Sequence, residues 1–226
     1  MKEFFAGATR ALGIVAGFMP TAVSFGAIAL QSGVSPLATA AMSVWIFAGA
    51  SQFAAVEAVR QGLPWVSIVL TVLVVNLRHI PMSLSIVSRI YSRFPRWQQW
   101  ILCHGIVDET FAMEMSEPPR PFSYYLGMHL ACWFSWIGGT IVGALVGLQI
   151  PERWLTFALP GLFIYLLVNA IRQVADRKIW IVLAAGIALT QITLTLKATG
   201  ILLAIVGIAV LATLLLNSET QVRKDS

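Results

Sequence analysis

Three short clusters hold most of the residues in this 226-residue chain whose side chains could do chemistry: Ser51 and Gln52; Asn76, Arg78 and His79; and His104, Asp108 and Glu109. All lie in runs of Leu, Val, Ile and Ala, where an Arg at helix centre costs about 2.5–3.5 kcal/mol to insert, so Arg78 needs a counter-charge, a water cavity or a ligand. Helical i, i+3 spacing puts Asn76 and His79 on one face and turns Arg78 away, unless the helix opens before Pro81. His104 and Asp108 stand at i, i+4 with Gly105 on the same side. Asp108 and Glu109 read as the deepest acids, and such carboxylates serve as coupling groups or counter-ions. Glu57 reads as solvated beside Arg60, and Glu114 and Glu117 as charges flanking a loop. The bland reading of each cluster is structural: Ser51 and Gln52 as packing glue, Arg78 in a buried ion pair, the acids at a solvated helix end.

The elements that position these residues are apolar helices. Composition is 58% hydrophobic and 11% charged with mean hydropathy +0.81, against about 25% charged for a soluble domain, so the fold class is an all-α integral membrane protein, a polytopic bundle of about seven or eight transmembrane segments with broken helices. Spans of about 20 residues fit at 10–30, 37–59, 64–88, 98–115, 122–147, 153–171, 178–196 and 199–217, with the first helix uncleaved and Pro20 a candidate break. Backbone unwinds at membrane depth only where protein or water satisfies it, so interruptions mark interior or cavity-lining positions. Trp65, Trp97, Trp100, Trp154 and Trp180 fall near helix starts, as an interfacial belt requires. With the N-terminus inside, Lys2, Arg10, Arg60 and Arg120 join a cytoplasmic majority, and Arg89, Arg93 and Arg96 fall outside, against the positive-inside rule. Gly13 with Gly17, and Gly139, Gly143 and Gly147, are spaced for close helix approach.

No linker divides the chain, so residues 1–226 form a single transmembrane domain. Ala58 to Gln61 before Trp65 echoes Ala170 to Gln173 before Trp180, which suggests repeats at roughly 1–112 and 113–226. Cys103 and Cys132 lack the company of a metal site and read as small hydrophobes. No basic block suggests nucleic acid, and the net charge of +5 speaks of lipid headgroups. No cofactor is called for.

Taken together, Ser24 to Gly26 (SFG), Gly49 to Phe53 (GASQF), Asn76 to His79 (NLRH), Asp108 to Thr110 (DET) and Ala158 to Phe163 (ALPGLF) resemble the AzlC-type branched-chain amino acid permease family, over essentially the whole chain. The resemblance implies a multi-pass exporter of branched-chain amino acids in the bacterial inner membrane, working with a small AzlD-type membrane subunit. The residues that bind substrate are not implied by it.

From the residues alone, a zwitterion would set its carboxylate on Arg78 or exposed amides, its ammonium on Asp108 or Glu109, and its side chain against Trp45, Phe47 or Leu77. Export could run on proton exchange through Asp108, Glu109 or His79, since no nucleotide-binding P-loop is present. Valine, leucine, isoleucine and methionine differ by about a methylene, worth only about 1–3 kcal/mol in an aliphatic pocket. Two alternatives stand beside the carrier: an intramembrane hydrolase pairing Ser51 with His79 or His104, and a non-transporting scaffold or channel subunit in which Arg78 and Asp108 are a structural pair.

Overall fold

The computed structural model describes residues 1–149, positions 151, 164 and 168, and residues 178–193. The chain divides into two compact units, Met1–Ile164 and Tyr165–Ser226. The described part of the second is an apolar helix, Lys178–Thr193, which covers the expected span at 178–196. The expected spans at 153–171 and 199–217, and the second copy of the suspected repeat at Ala170 to Gln173, lie outside the described residues.

The first unit contains α1 (Lys2–Arg10), α2 (Leu12–Gln31), α3 (Pro36–Trp45), α4 (Gly49–Arg60), α5 (Trp65–Asn76), α6 (His79–Arg89), α7 (Arg96–His104), α8 (Asp108–Ser116) and α9 (Phe122–Val146). Three membrane-length apolar helices stand out among the described residues: Leu12–Gln31, Trp65–Arg89 and Phe122–Gln149. The helix runs unbroken through Pro20, against the expectation of a break there.

α1 and α2 lie parallel to α9 along its whole length, and small residues set the approach. A Cβ at Gly7 or Gly127 would collide with backbone of Tyr124 or Phe4, and one at Gly26 or Gly143 with backbone of Thr140 or Val23. Gly147 meets Ala27 and accepts a bond from Gln31 Nε2 at 2.7 Å. Gly139 packs on Met19 and Ala22, whereas Gly13 and Gly17 have open space around them, so the first pair of the predicted small-residue set does not serve close packing among the described residues.

With α9 as a ruler, the expected spans at 37–59 and 98–115 prove to be hairpins. At about 1.5 Å per residue, the 10 residues of α3 and 12 of α4 reach about 15 and 18 Å, and the 9 residues each of α7 and α8 about 14 Å, all short of the roughly 30 Å hydrocarbon core. α7 begins level with the start of α9, where Trp97 packs on Phe122, and ends level with Trp133, which His104 meets edge-on. α8 then returns, placing Glu114 at His129 and Glu117 at Tyr124. α3–α4 enters from the opposite end. Ser43 bonds Thr140, Phe47 reaches Phe18, Gly49 meets Trp136, and Phe53 is back beside Phe25.

Arg93 donates to the Arg120 carbonyl, and Arg10 pairs with Glu117 at 2.5 Å. The Arg89, Arg93, Arg96 cluster therefore shares an end with Arg10 and Arg120, and Arg60, after the returning arm α4, moves to the other. This corrects the charge assignment made by counting each apolar run as a crossing. Among the described residues the positive-inside violation disappears, and the end carrying Lys2, Arg10, Arg93 and Arg120 is the one that rule assigns to the cytoplasm.

Candidate functional site

The helix breaks at Ile46–Ala48, Leu77–Arg78 and Gly105–Val107 meet around a cavity of about 280 Å³. It is lined by Trp45 to Ala48 at the first break, Asn76 and His79 beside the second, and Cys103, His104 and Ile106 at the third. Each break has a local cause. Gly49 opens α4 because the Trp136 indole occupies the space a Cβ would take, and Gly105 ends α7 because the His129 ring does the same. Pro81 supplies no amide and crowds the carbonyl four residues back, so the regular hydrogen-bond ladder lapses into a turn at Leu77–Arg78, whose backbone stays helical, and Pro81 falls in the first turn of α6.

Arg78 reaches Asp108, with Nη1 2.5 Å from Oδ2 and both side chains about three-tenths exposed. Asn76 and His79 stay on the cavity wall, where buried Asn76 Oδ1 and His79 Nε2 have no hydrogen-bond partner among the described residues, as does Arg78 Nε. α4 starts without a side-chain cap, so its first amides and the positive end of its dipole lie at the break. At α8 the Thr110 hydroxyl takes the cap, accepting from Val107 N at 2.9 Å and donating to Gly105 O at 2.8 Å.

Several expectations are corrected. His104 and Asp108 do not share a helix face, because α7 ends at the first and α8 begins at the second. Ser51 is buried and donates to Ala48 O at 2.8 Å, back along its own chain rather than to His79 or His104. Gln52 is buried behind the cavity in a relay: Trp136 Nε1 donates to Gln52 Oε1 at 3.0 Å, Gln52 Nε2 donates to Ser43 Oγ at 3.1 Å, and Ser43 bonds Thr140 Oγ1 at 2.8 Å. Glu57 is paired with Arg60 near a helix end, in line with its reading.

Glu114 is not a loop-flanking charge and displaces Asp108 and Glu109 as the deepest acid. Only 1% exposed, it accepts from Tyr91 Oη at 2.7 Å and meets His129 Nε2 at 2.5 Å. The reading of the sequence missed His129 and Tyr91. The available signal was a lone His midway along the apolar run 122–147, a group that must find a partner. Glu117, in the loop after α8, is held by Arg10 and Tyr124. Partial burial opposes its charge, but those two hydrogen bonds outweigh it and keep its carboxyl below the ordinary value. Cys103 and Cys132 are free thiols.

The model of the AzlC protein family matches residues 13–150, which includes all three breaks. The chain belongs to the AzlC family. It is 32% identical over 182 residues to the inner membrane protein YgaZ of Escherichia coli, covering 75% of this chain and 74% of that one. It is 33% identical over 197 residues to an uncharacterised membrane protein of Archaeoglobus fulgidus, covering 84% and 85%, and 26% identical over 223 residues to one of Helicobacter pylori, covering 96% and 95%. No solved structure matches the chain. As an AzlC-family member it is a multi-pass transport protein of the bacterial inner membrane, and not an enzyme.

Proposed function

We propose that this protein exports branched-chain amino acids, valine, leucine and isoleucine with methionine as an outer limit, in exchange for protons and together with a small AzlD-type membrane subunit. The observation that carries the reading is the cavity at the three breaks, with an uncapped helix start on one wall and unpartnered Asn76 Oδ1 and His79 Nε2 on another. A zwitterion needs these two kinds of group. Its carboxylate sits at the first amides of α4, where the dipole favours an anion, and its ammonium donates to Asn76 Oδ1, with His79 beside it. Trp45, Phe47 and Ile106 receive the aliphatic side chain. At about 280 Å³ the space lies just under the range of about 300–1,000 Å³ typical of drug-sized ligands, which suits a small amino acid.

Arg78 and Asp108 act as an ion pair that ties the break in Trp65–Arg89 to the α7–α8 hairpin and yields when the cavity opens, with Glu109 the neighbouring acid. Ser51 and Gln52 act at one remove by holding α4 in place. The small subunit covers part of the apolar face of α5–α6, where Val69, Leu70, Leu73, Leu77 and Leu84 are exposed. The test is counterflow of labelled valine in proteoliposomes, with and without the small subunit. Saturable exchange inhibited by leucine and isoleucine and weakened by Asn76→Ala is expected. Lack of exchange with all three amino acids, subunit present, would leave the scaffold reading.

A further inference from the structure

Among the described residues, the most buried carboxylate lies outside the cavity. Glu114 Oε1 is 2.5 Å from His129 Nε2, and Glu114 Oε2 accepts from Tyr91 Oη at 2.7 Å. The glutamate is 1% exposed, the histidine 5% and the tyrosine 0%. His129 Nδ1 is buried with no partner among the described residues. Three separate elements converge here: the turn after α6 gives Tyr91, the returning hairpin arm α8 gives Glu114, and α9 gives His129. The His129 ring also fills the space beside Gly105, at the hairpin tip. One face of that tip thus rests on the Glu114–His129 pair, while Cys103, His104 and Ile106 of the same hairpin line the cavity.

We propose that the proton exchanged against the amino acid is carried by the Glu114–His129 pair, which clamps the α7–α8 hairpin to α9 when protonated and releases it when not. This rests on the transport reading above and assigns its coupling site. With one proton the pair is neutral overall, as carboxylate with imidazolium or as carboxylic acid with imidazole, and a hydrogen bond joins the two helices. Without that proton the Nε2–H of the neutral ring can still donate to the carboxylate, but the pair carries a net negative charge buried in a low-dielectric site. That form needs the hairpin to move and admit water or another donor. The cycle balances: one proton leaves the pair as a net-neutral zwitterion loads the cavity, and one is regained from the opposite side after the amino acid departs. The other titratable groups packed around the pair are Tyr91 and Tyr125, Cys103 and His104 on α7, Glu109 on α8 and Cys132 on α9.

The experiment uses the full chain with its small subunit in proteoliposomes and reads two things separately: valine counterflow without a pH gradient, and valine movement driven by one. Counterflow absent in the wild type sinks the transport reading itself. With counterflow present, Glu114→Gln and His129→Gln should keep it and lose the response to the pH gradient, while Glu117→Gln keeps both. A pH-gradient response intact in Glu114→Gln overturns the proposal. Should those variants fail to fold, the wild type and Tyr91→Phe decide. Adding valine to weakly buffered protein in detergent should release a proton into a pH-indicator dye, and Tyr91→Phe, which removes a hydrogen bond to Glu114, should change how that release depends on pH. No release from the wild type, or the same pH dependence in Tyr91→Phe, also overturns it.

Discussion

Gly143 and Gly138 sit five residues apart on α9 and should respond oppositely to the same substitution. A Cβ at Gly138 meets nothing within 4 Å, whereas one at Gly143 would lie well inside contact with the Val23 backbone carbonyl. Gly138→Ala removes a flexible residue from a helix interior and should stabilise by about 1 kcal/mol. Gly143→Ala brings the same gain, but the clash is with backbone and no rotamer can relieve it. Helices α2 and α9 must separate by about 1 Å, which forfeits a quarter to a half of the dispersion energy along the seam. An overpacking cost of about 3 kcal/mol, less the helix gain, leaves a loss of about 2 kcal/mol. The two variants then differ by about 3 kcal/mol, which at 2–4 °C per kcal/mol is a gap of roughly 6–12 °C in the unfolding midpoint. Static light scattering during a thermal ramp in detergent reads it. Equal midpoints, or a more stable Gly143→Ala, would show that the α2–α9 seam is not held as described.

Neutralising one member of the Arg78–Asp108 pair should impair valine counterflow more than neutralising both, because the single change leaves a partly buried charge unpaired; additive losses in Arg78→Gln, Asp108→Asn and the double variant would argue against a direct pair. Gln52→Leu breaks the relay from Trp136 to Ser43 and leaves Trp136 Nε1 without its acceptor while Ser43 keeps Thr140, so a loss of about 1–3 kcal/mol is expected, roughly 2–12 °C in the same thermal ramp. Glu117 has a depressed folded-state pKa, so its contribution is complete above its unfolded value and is lost as pH falls through the folded one. Its partner Arg10 is about half exposed, which caps the effect near 1 kcal/mol, or about 2–4 °C between pH 7 and pH 3. Arg10→Gln should flatten that part of the profile, and an unchanged profile would remove the pair from the stability of this end.

Where the apolar helices are interrupted was easier to read from the sequence than the number of crossings. Asn76, Arg78, His79 and Pro81 announced an irregularity because a charged residue and a proline in an apolar run have few other reasons to coexist, and the helix lapses into a turn at Leu77–Arg78 while its backbone stays helical. Residues 37–59 and 98–115 were misleading for a physical reason. Hydropathy sums apolar residues over a window and is blind to the direction of the chain, so two half-helices folded back on each other resemble one crossing. The glycines at the breaks, Gly49 and Gly105, mattered through what packs against them, the Trp136 indole and the His129 ring, and no local pattern discloses that. Glu114 was misplaced because it precedes Glu117, Pro118 and Pro119, a loop-like composition; its burial follows from the return of α8 toward His129, a tertiary fact. Gln52 was legible as a polar group needing partners, and its structural reading agrees with the relay it makes.

The two hairpins differ in the chemistry that secures them, and the difference bears on which can move. The α3–α4 hairpin is tied to α9 through neutral groups, the relay from Trp136 through Gln52 and Ser43 to Thr140, and through the seating of the indole on Gly49. Nothing in that set titrates near neutrality, so its strength does not respond to protons. The α7–α8 hairpin is held to its surroundings by Glu114 with His129 and by Asp108 with Arg78, both of which depend on charge. A barrier must answer to the driving ion if the ion is to do work. Under the proposed proton exchange, the α7–α8 hairpin is therefore the side of the cavity that would open on proton transfer. The α3–α4 hairpin would need a different cue under that proposal, and a carboxylate at the start of α4 is the one its geometry offers.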